Sequence, residues 1–314
     1  MYNISDNWSE VLVSMQRQYL SIDIGGTTIK SARIDHSGNI MTKGRQQTPR
    51  SKDAFLQVLQ TIIQENQLIA AVCVSVPGIV DPQTGSVQFT GVLSYMGKFE
   101  LAQYLEKTTQ LPVYVGNDAN CATLAEQWLG NLVDVDNGAV ITLGTSVGGG
   151  IVVNGKLLHG PHSRAGELSA IVTNRDDPLA EQRTVGATTS AVKMVEMVAQ
   201  ACKLPDPADG QQAFQKIIAH DPLAWEIFEE YCRRVAYLIV SLQAVLDLEV
   251  VLIGGGISVQ PILIEEIKNQ FIKVQRADRR LMADITMPVI KAANFGNEAN
   301  LLGALYGLLL KIEK

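Results

Sequence analysis

The chain is sparing with charge, aromatics and cysteine: of 314 residues, 18% are charged and 6% aromatic, with 4 Cys and 4 His. Lys and Arg are dispersed and the net charge is −6, so there is no basic stripe with which to neutralise nucleic acid or an anionic membrane. No stretch qualifies as a membrane span, because Asp247 and Glu249 interrupt the apolar segment 237–254, while 301–310 is short and contains Gly303 and Gly307. A basic region followed by an apolar run is missing near the N-terminus, so a cytoplasmic protein is expected. Cys73, Cys121, Cys202 and Cys232 lack C-x-x-C spacing, which points to reduced, buried thiols rather than a disulfide framework. What remains is a composition with 46% hydrophobic residues, that of an α/β protein long enough for about two domains with large cores.

One short stretch stands out from this background. Tyr19–Lys30, YLSIDIGGTTIK, runs from an apolar strand through an acid, two glycines and two hydroxyls to a cation. Leu20, Ile22 and Ile24 fit a strand, and Asp23 falls at its end, where an acid among apolar neighbours needs a reason. Gly25 and Gly26 permit the positive φ of a tight turn and let a ligand approach bare backbone, and Thr27 and Thr28 add hydroxyl donors. The combination suits phosphate oxygens. Asp23 would repel phosphate directly, so its functional role is as a ligand to Mg²⁺ or to magnesium's water. The plain alternative is an ordinary hairpin, since strand-Gly-Gly-strand is common.

The pattern occurs twice. Residues 139–155, AVITLGTSVGGGIVVNG, repeat the order of apolar strand, Gly144-Thr145-Ser146 turn, second strand and Asn-Gly turn. Two such hairpins in separate halves predict a duplicated α/β unit facing a shared cleft. A third cluster, Gly254, Gly255 and Gly256, follows the apolar strand 250–253 and precedes a helix predicted from Pro261. Three phosphate-compatible turns at strand ends imply a nucleotide.

Between these landmarks the spacing of Phe55, Val58, Leu59, Ile62 and Ile63 predicts a helix over 52–66, and 68–76 reads as a buried parallel strand ended by Pro77 and Gly78. Residues 79–97 are turn-rich and predict irregular structure over the cleft. Helices are predicted over 101–107, 185–202, 211–220, 222–246 and 298–310, and strands over 112–115 and 288–290. In the long helix Phe228, Tyr231, Val235, Leu238, Leu242 and Val245 form a core stripe, and Met194 and Met197 are packing residues. Ala299, Gly303, Ala304 and Gly307 suit close helix approach, whether at a hinge between lobes or in plain packing.

Asn117 and Asp118, in GNDAN at 116–120, sit at a strand end directly before a helix over 119–129. That edge is where open α/β sheets place ligands, and Asn and Asp are equally the residues that cap helices. Further on, Glu167 in LLHGPHSRAGEL is placed to reach a substrate hydroxyl, with Arg164 as a helper and His162 as surface loop.

These stretches have a common resemblance. DIGGTTIK at 23–30, PG at 77–78, GNDAN, LGTSVGGGIVVNGKL at 143–157, AGEL at 165–168, IGGG at 253–256 and NEANLLGALYG at 297–307 resemble the ROK family, in its order, from about Tyr19 to the C-terminus. That family contains bacterial sugar kinases and sugar-responsive repressors within the superfamily of actin-like ATPases and hexokinases. The resemblance implies a two-lobed α/β fold of duplicated ribonuclease H-like units with an interlobe cleft. The lobes are expected at 19–116 plus 297–314 and at 117–296, with 1–18 an extension to which no role is assigned. It also implies ATP and Mg²⁺ as cofactors and a homodimer. Asp118 matches the catalytic base, and Asn117, Glu167 and Gly78 match the sugar contacts. Asp23 matches the acid near Mg²⁺, acting through water. Gly25, Gly26, Thr27 and Thr28, with Lys30 after them, and Gly144 with Thr145 match the phosphate loops, and Gly254, Gly255 and Gly256 the adenosine loop. The implied activity is transfer of the γ-phosphoryl group to the 6-hydroxyl of glucose, N-acetylmannosamine or a β-glucoside.

Three departures qualify the match. Residues 174–184 contain no Cys or His where many members carry a zinc loop, so no zinc is expected, and Glu181 aligns with the sugar-binding glutamate after that loop. Ser169 stands near the position where many members have a histidine at the sugar's anomeric end, which makes room for a substituent there. Ser146 replaces a glycine of the second phosphate loop. A non-catalytic, sugar-sensing ROK regulator is the alternative; the roughly twenty residues ahead of Asp23 are too few for a DNA-binding domain of about three helices.

Overall fold

A computed structural model of the chain describes residues 17–174, 176, 182–277 and 284–313. The chain divides into two compact units, one taking in the chain up to Trp128 with His159–Arg164 and the segment from Glu298, the other Leu129–Leu158 and Ala165–Asn297.

In the first unit β1 (Gln18–Ile24) pairs antiparallel with β2 (Thr28–Asp35), which pairs with β3 (Ile40–Gln47). On its other side β1 runs parallel to β4 (Val72–Val76), and β4 to β8 (Val113–Asn117), giving the order β3-β2-β1-β4-β8. β4 is buried at every position, as a central parallel strand must be. It starts four residues later than the apolar run suggests, because Leu68 adopts a left-handed conformation and is exposed. The helices α1 (Lys52–Glu65), α2 (Leu101–Thr109) and α3 (Asp118–Leu129) follow β3 and flank β8 in the chain. Phe55, Leu59 and Ile62 of α1 join Leu20, Ile22 and Val74 in one core. Residues 79–97, expected to be irregular, hold β5 (Ile79–Val80), β6 (Val87–Gln88) and a 3₁₀ turn, and with β7 (Lys98–Phe99) they make a small antiparallel sheet.

The second unit repeats the plan. β9 (Gly138–Leu143) pairs antiparallel with β10 (Val147–Val153), β10 with β11 (Lys156–Leu157), and β12 (Val250–Gly254) and β13 (Val289–Ala292) add parallel strands, in the order β11-β10-β9-β12-β13. The helix expected over 185–202 is two, α4 (Val185–Thr188) and α5 (Ala191–Ala201), because the Ser190 hydroxyl accepts from Lys193 N and starts a new helix. α6 (Gly210–Ile218), α7 (Pro222–Leu246) and α8 (Pro261–Ala277) complete it. The α7 stripe is buried from Phe228 to Leu242, but Val245 is 80% exposed, since it lies in the last turn beyond the core. Met194 packs inside, whereas Met197, one turn further along α5, is half exposed.

α9 (Ala299–Ile312) closes the first unit. Its two glycines serve packing: a Cβ on Gly303 would stand 2.9 Å from Cys121 Cα and nearer still to the Cys121 carbonyl, and one on Gly307 would stand 2.6 Å from Tyr114 Cε1 and nearer still to Cζ. Ser21 donates to the Leu301 carbonyl at 2.7 Å, which pins α9 to β1.

Candidate active site

The first unit places its acids at one edge of a sheet. β1, β4 and β8 are parallel, so their carboxyl ends lie together, with Asp23 at the end of β1, Gly78 just after β4, and Asn117 and Asp118 at the end of β8. Asp23 is 6% exposed. Its Oδ1 accepts from the Asn300 amide at 3.0 Å, and its Oδ2 lies 3.6 Å from Lys30 Nζ. A buried carboxylate held by one amide and one ammonium keeps its charge compensated.

The turn between β1 and β2 is closed by Gly25 N donating to Thr28 O at 2.9 Å. Contrary to expectation, neither Gly25 nor Gly26 has positive φ. Gly25 is required by space instead, because a Cβ there would stand 2.9 Å from the Thr28 carbonyl oxygen. Thr48 braces the turn, its hydroxyl donating to Gly25 O at 2.7 Å and its amide to Thr27 O at 3.0 Å. Gly26 and Thr27 are exposed at the tip.

Asn117 and Asp118 use the helix that follows them. Asn117 Oδ1 accepts from Asn120 N at 3.1 Å, capping α3, and its amide donates to Gly78 O at 3.0 Å. Gly78 takes φ +120°, a conformation open to glycine, with Gln88 O 2.5 Å from where a Cβ would be. Asp118 Oδ1 accepts from Ala119 N at 2.8 Å. Behind them the buried Cys121 thiol is pushed well above the ordinary range, by desolvation first and then by the Asp118 and Asp23 carboxylates.

In the second unit the β9–β10 turn is closed by Gly144 N donating to Ser146 O at 3.0 Å. Gly144 O accepts from Ala191 N at 2.9 Å and Val192 N at 3.4 Å, tying the turn to the start of α5, and Thr145 and Ser146 are exposed. Gly254 ends β12 beside Thr142 of β9. Gly255 has φ +96°, and a Cβ there would stand 2.9 Å from Leu143 N, so this loop and the Gly144 turn share one end of the sheet; Gly256 faces open space. Glu167 is exposed, just before a 3₁₀ turn over Leu168–Ala170. A Cβ on Gly186 would meet Ser146 Oγ at 2.7 Å and Ser169 Cβ at 2.9 Å, so the two serines that depart from the family pattern flank the same glycine. Glu181 and most of the loop before it lie outside the described residues. Sequence reasoning missed Asn300, Thr48 and Arg45: strand pairing brings Arg45 and the following Thr48 to the turn, and the docking of α9 brings Asn300 to Asp23.

Residues 19–311 match the ROK family. A beta-glucoside kinase of Listeria innocua is 33% identical over 292 residues, 92% of this chain and 96% of that protein. A ROK family protein from Streptococcus pneumoniae, solved in complex with sucrose, aligns with TM-score 0.84 and 30% identity over 94% of this chain and 99% of that one. A ROK family glucokinase from Streptomyces griseus, in complex with glucose and AMPPNP, aligns with TM-score 0.76 and 25% identity over 91% of this chain and 97% of that one. The chain belongs to the ROK family.

Proposed function

We propose that this ROK sugar phosphotransferase moves the γ-phosphoryl group of ATP to the 6-hydroxyl of a glucose-type sugar, with a β-glucoside favoured over glucose and N-acetylmannosamine. The observation that carries the reading is the shared edge of the first sheet, where Asp23 and Asp118 end parallel strands beside a turn of amides and hydroxyls. The relatives named as a beta-glucoside kinase and a glucokinase support the class. Ser169, short where many members have a histidine, supports the β-glucoside.

A sugar hydroxyl is a poor nucleophile, and Asp118 is the base that takes its proton as the new O–P bond forms and ADP leaves. Its hydrogen bond from Ala119 N holds the carboxylate in one orientation. Asn117, fixed by Asn120 N and Gly78 O, and Glu167 orient the sugar's hydroxyls. The turns Gly25–Thr28 and Gly144–Thr145 offer amides and hydroxyls to the phosphates, and Gly254–Gly256 receives the adenosine. Asp23 suits Mg²⁺ held through water, because one carboxylate plus substrate phosphates is a common magnesium donor set and no larger cluster of acids, His or Cys occurs among the described residues. When bound, Mg²⁺ supplies positive charge to the phosphate oxygens.

The test is ADP release with Mg-ATP across glucose, N-acetylmannosamine, N-acetylglucosamine, mannose, fructose and cellobiose. Strong turnover on cellobiose is expected, and Asp118→Asn should lower kcat by about 10²-fold or more while sugar still binds. Near wild-type turnover in that variant would remove Asp118 from its role.

A further inference from the structure

β3 carries a group that the reading above does not use. The strand is polar from Thr42 onward, apart from Gly44, and forms the exposed edge of the first sheet. The register sets Asp23 opposite Lys30, and Lys30 opposite Arg45, so an acid and two cations form one row across β1, β2 and β3. Residues directly opposite in a sheet project from the same face. The three cations of β2 and β3 nearest the turn have different fates. Lys30 faces the Asp23 carboxylate at 3.6 Å. Lys43 pairs with Glu298. Arg45 has no carboxylate partner among the described residues, and its Nη2 donates to Thr28 Oγ1 at 3.4 Å.

That hydrogen bond has a direction. A guanidinium only donates, so Thr28 Oγ1 accepts, and the hydroxyl proton is turned away from Arg45 toward another acceptor. The remaining N–H groups of Arg45 stay available around the same turn, as a planar, permanently charged fork suited to phosphate. An uncompensated cation is thus set beside amides and a hydroxyl that already suit an anion, on a turn fixed by Thr48.

We infer that Arg45 binds an oxygen of the nucleotide's phosphate chain at the first turn, with Thr28 donating to the same group. This rests on the ATP-dependent reading above and adds a phosphate-binding residue to it. Lys43, two residues away and committed to Glu298, has no part in it.

The test is calorimetry of Mg-AMPPNP and of adenosine on the full chain and on Arg45→Ala, Arg45→Lys and Lys43→Ala. A charged hydrogen bond to phosphate predicts that Arg45→Ala weakens AMPPNP by about ten-fold or more, that Arg45→Lys recovers part of the loss, and that Lys43→Ala changes little. Adenosine has no phosphate, so its affinity should stay within about two-fold in every variant. Unchanged AMPPNP binding in Arg45→Ala overturns the assignment, and so does a parallel loss of adenosine, which would mean a disturbed turn. If the wild-type chain binds no AMPPNP, the ATP-dependent reading fails and the assignment falls with it. If it binds AMPPNP in an Arg45-dependent way yet phosphorylates no sugar, the assignment stands and only the reaction is wrong.

Discussion

Replacing Gly303 by alanine sets two opposing effects against each other. In a helix interior alanine is favoured over glycine by about 1 kcal/mol, so on propensity alone the variant gains stability. Against this, the new Cβ would stand 2.9 Å from Cys121 Cα and closer to the Cys121 carbonyl, all of it backbone of α3 that cannot rotate aside. Non-bonded carbons prefer about 3.5–4.0 Å, so α9 must retreat from α3 by something on the order of 1 Å. Overpacking of this kind costs about 1–3 kcal/mol, and a rigid backbone neighbour puts this site at the upper end. The retreat also pulls the Leu301 carbonyl from Ser21, a buried hydrogen bond worth about 1 kcal/mol net. The clash therefore wins, with a net loss of about 3 kcal/mol. Urea unfolding followed by circular dichroism measures it. A variant as stable as wild type would show that α3 and α9 have slack at this crossing and refute the packing account. Because Asn300 sits on the same helix and holds Asp23, the role proposed for Asp23 predicts that turnover in this variant needs a higher Mg²⁺ concentration as well.

Two further outcomes follow from single groups. Thr48→Val keeps shape but removes the 2.7 Å hydrogen bond to Gly25 O; it should lower stability by about 1 kcal/mol and raise KM for ATP more than KM for the sugar, and an unchanged KM for ATP would detach Thr48 from the turn's function. Burial pushes the Cys73 thiol up to about 12 from an ordinary 9.0, so the folded state holds this proton where the unfolded chain releases it. Its contribution to stability is full below pH 9 and falls between pH 9 and about 12, by about 1.4 kcal/mol per pH unit. Cys73→Ala should therefore show a shallower alkaline decline than wild type in unfolding experiments across that range; parallel declines would refute the linkage.

Much of the fold was legible because the signals were local. The β1–β2 and β9–β10 hairpins announce themselves through apolar strands closed by Gly-Thr turns, and the two sheets share one strand plan. β3 left no trace in the periodicity, because an exposed edge strand has no buried face to alternate and is kept soluble by groups such as Lys43 and Arg45. The need for glycine at position 25 comes not from positive φ but from the Thr28 carbonyl, which the closing of the turn brings against the place of a Cβ. Asn300 lies 277 residues from Asp23, so only the docking of α9 on β1 makes them partners. Met197 and Val245 have the right spacing for a core face, yet spacing does not say where the neighbouring element stops.

The two phosphate-compatible turns look alike in sequence but are held in different ways, and that difference bears on what each can bind. A helix N-terminus attracts anions only through amides not already spoken for. At the second turn α5 gives Ala191 N and Val192 N to Gly144 O, and Lys193 N to its own Ser190 cap. Its first amides thus fix the turn, and on the proposed function phosphate binding there would fall to Thr145, Ser146 and the turn's own backbone. At the first turn the bracing comes from Thr48, and on the proposed function the anion would be left to Thr28, the exposed tip and the cations of β2 and β3. At GNDAN the capping contacts are compatible with the catalysis proposed for Asp118. Asn117 does cap α3, through Asn120 N, and Asp118 does accept from Ala119 N. A residue that is to place a carboxylate against a sugar hydroxyl within a few tenths of an ångström gains from being fixed by backbone first, so the capping contacts supply the rigidity that a general base at position 118 requires.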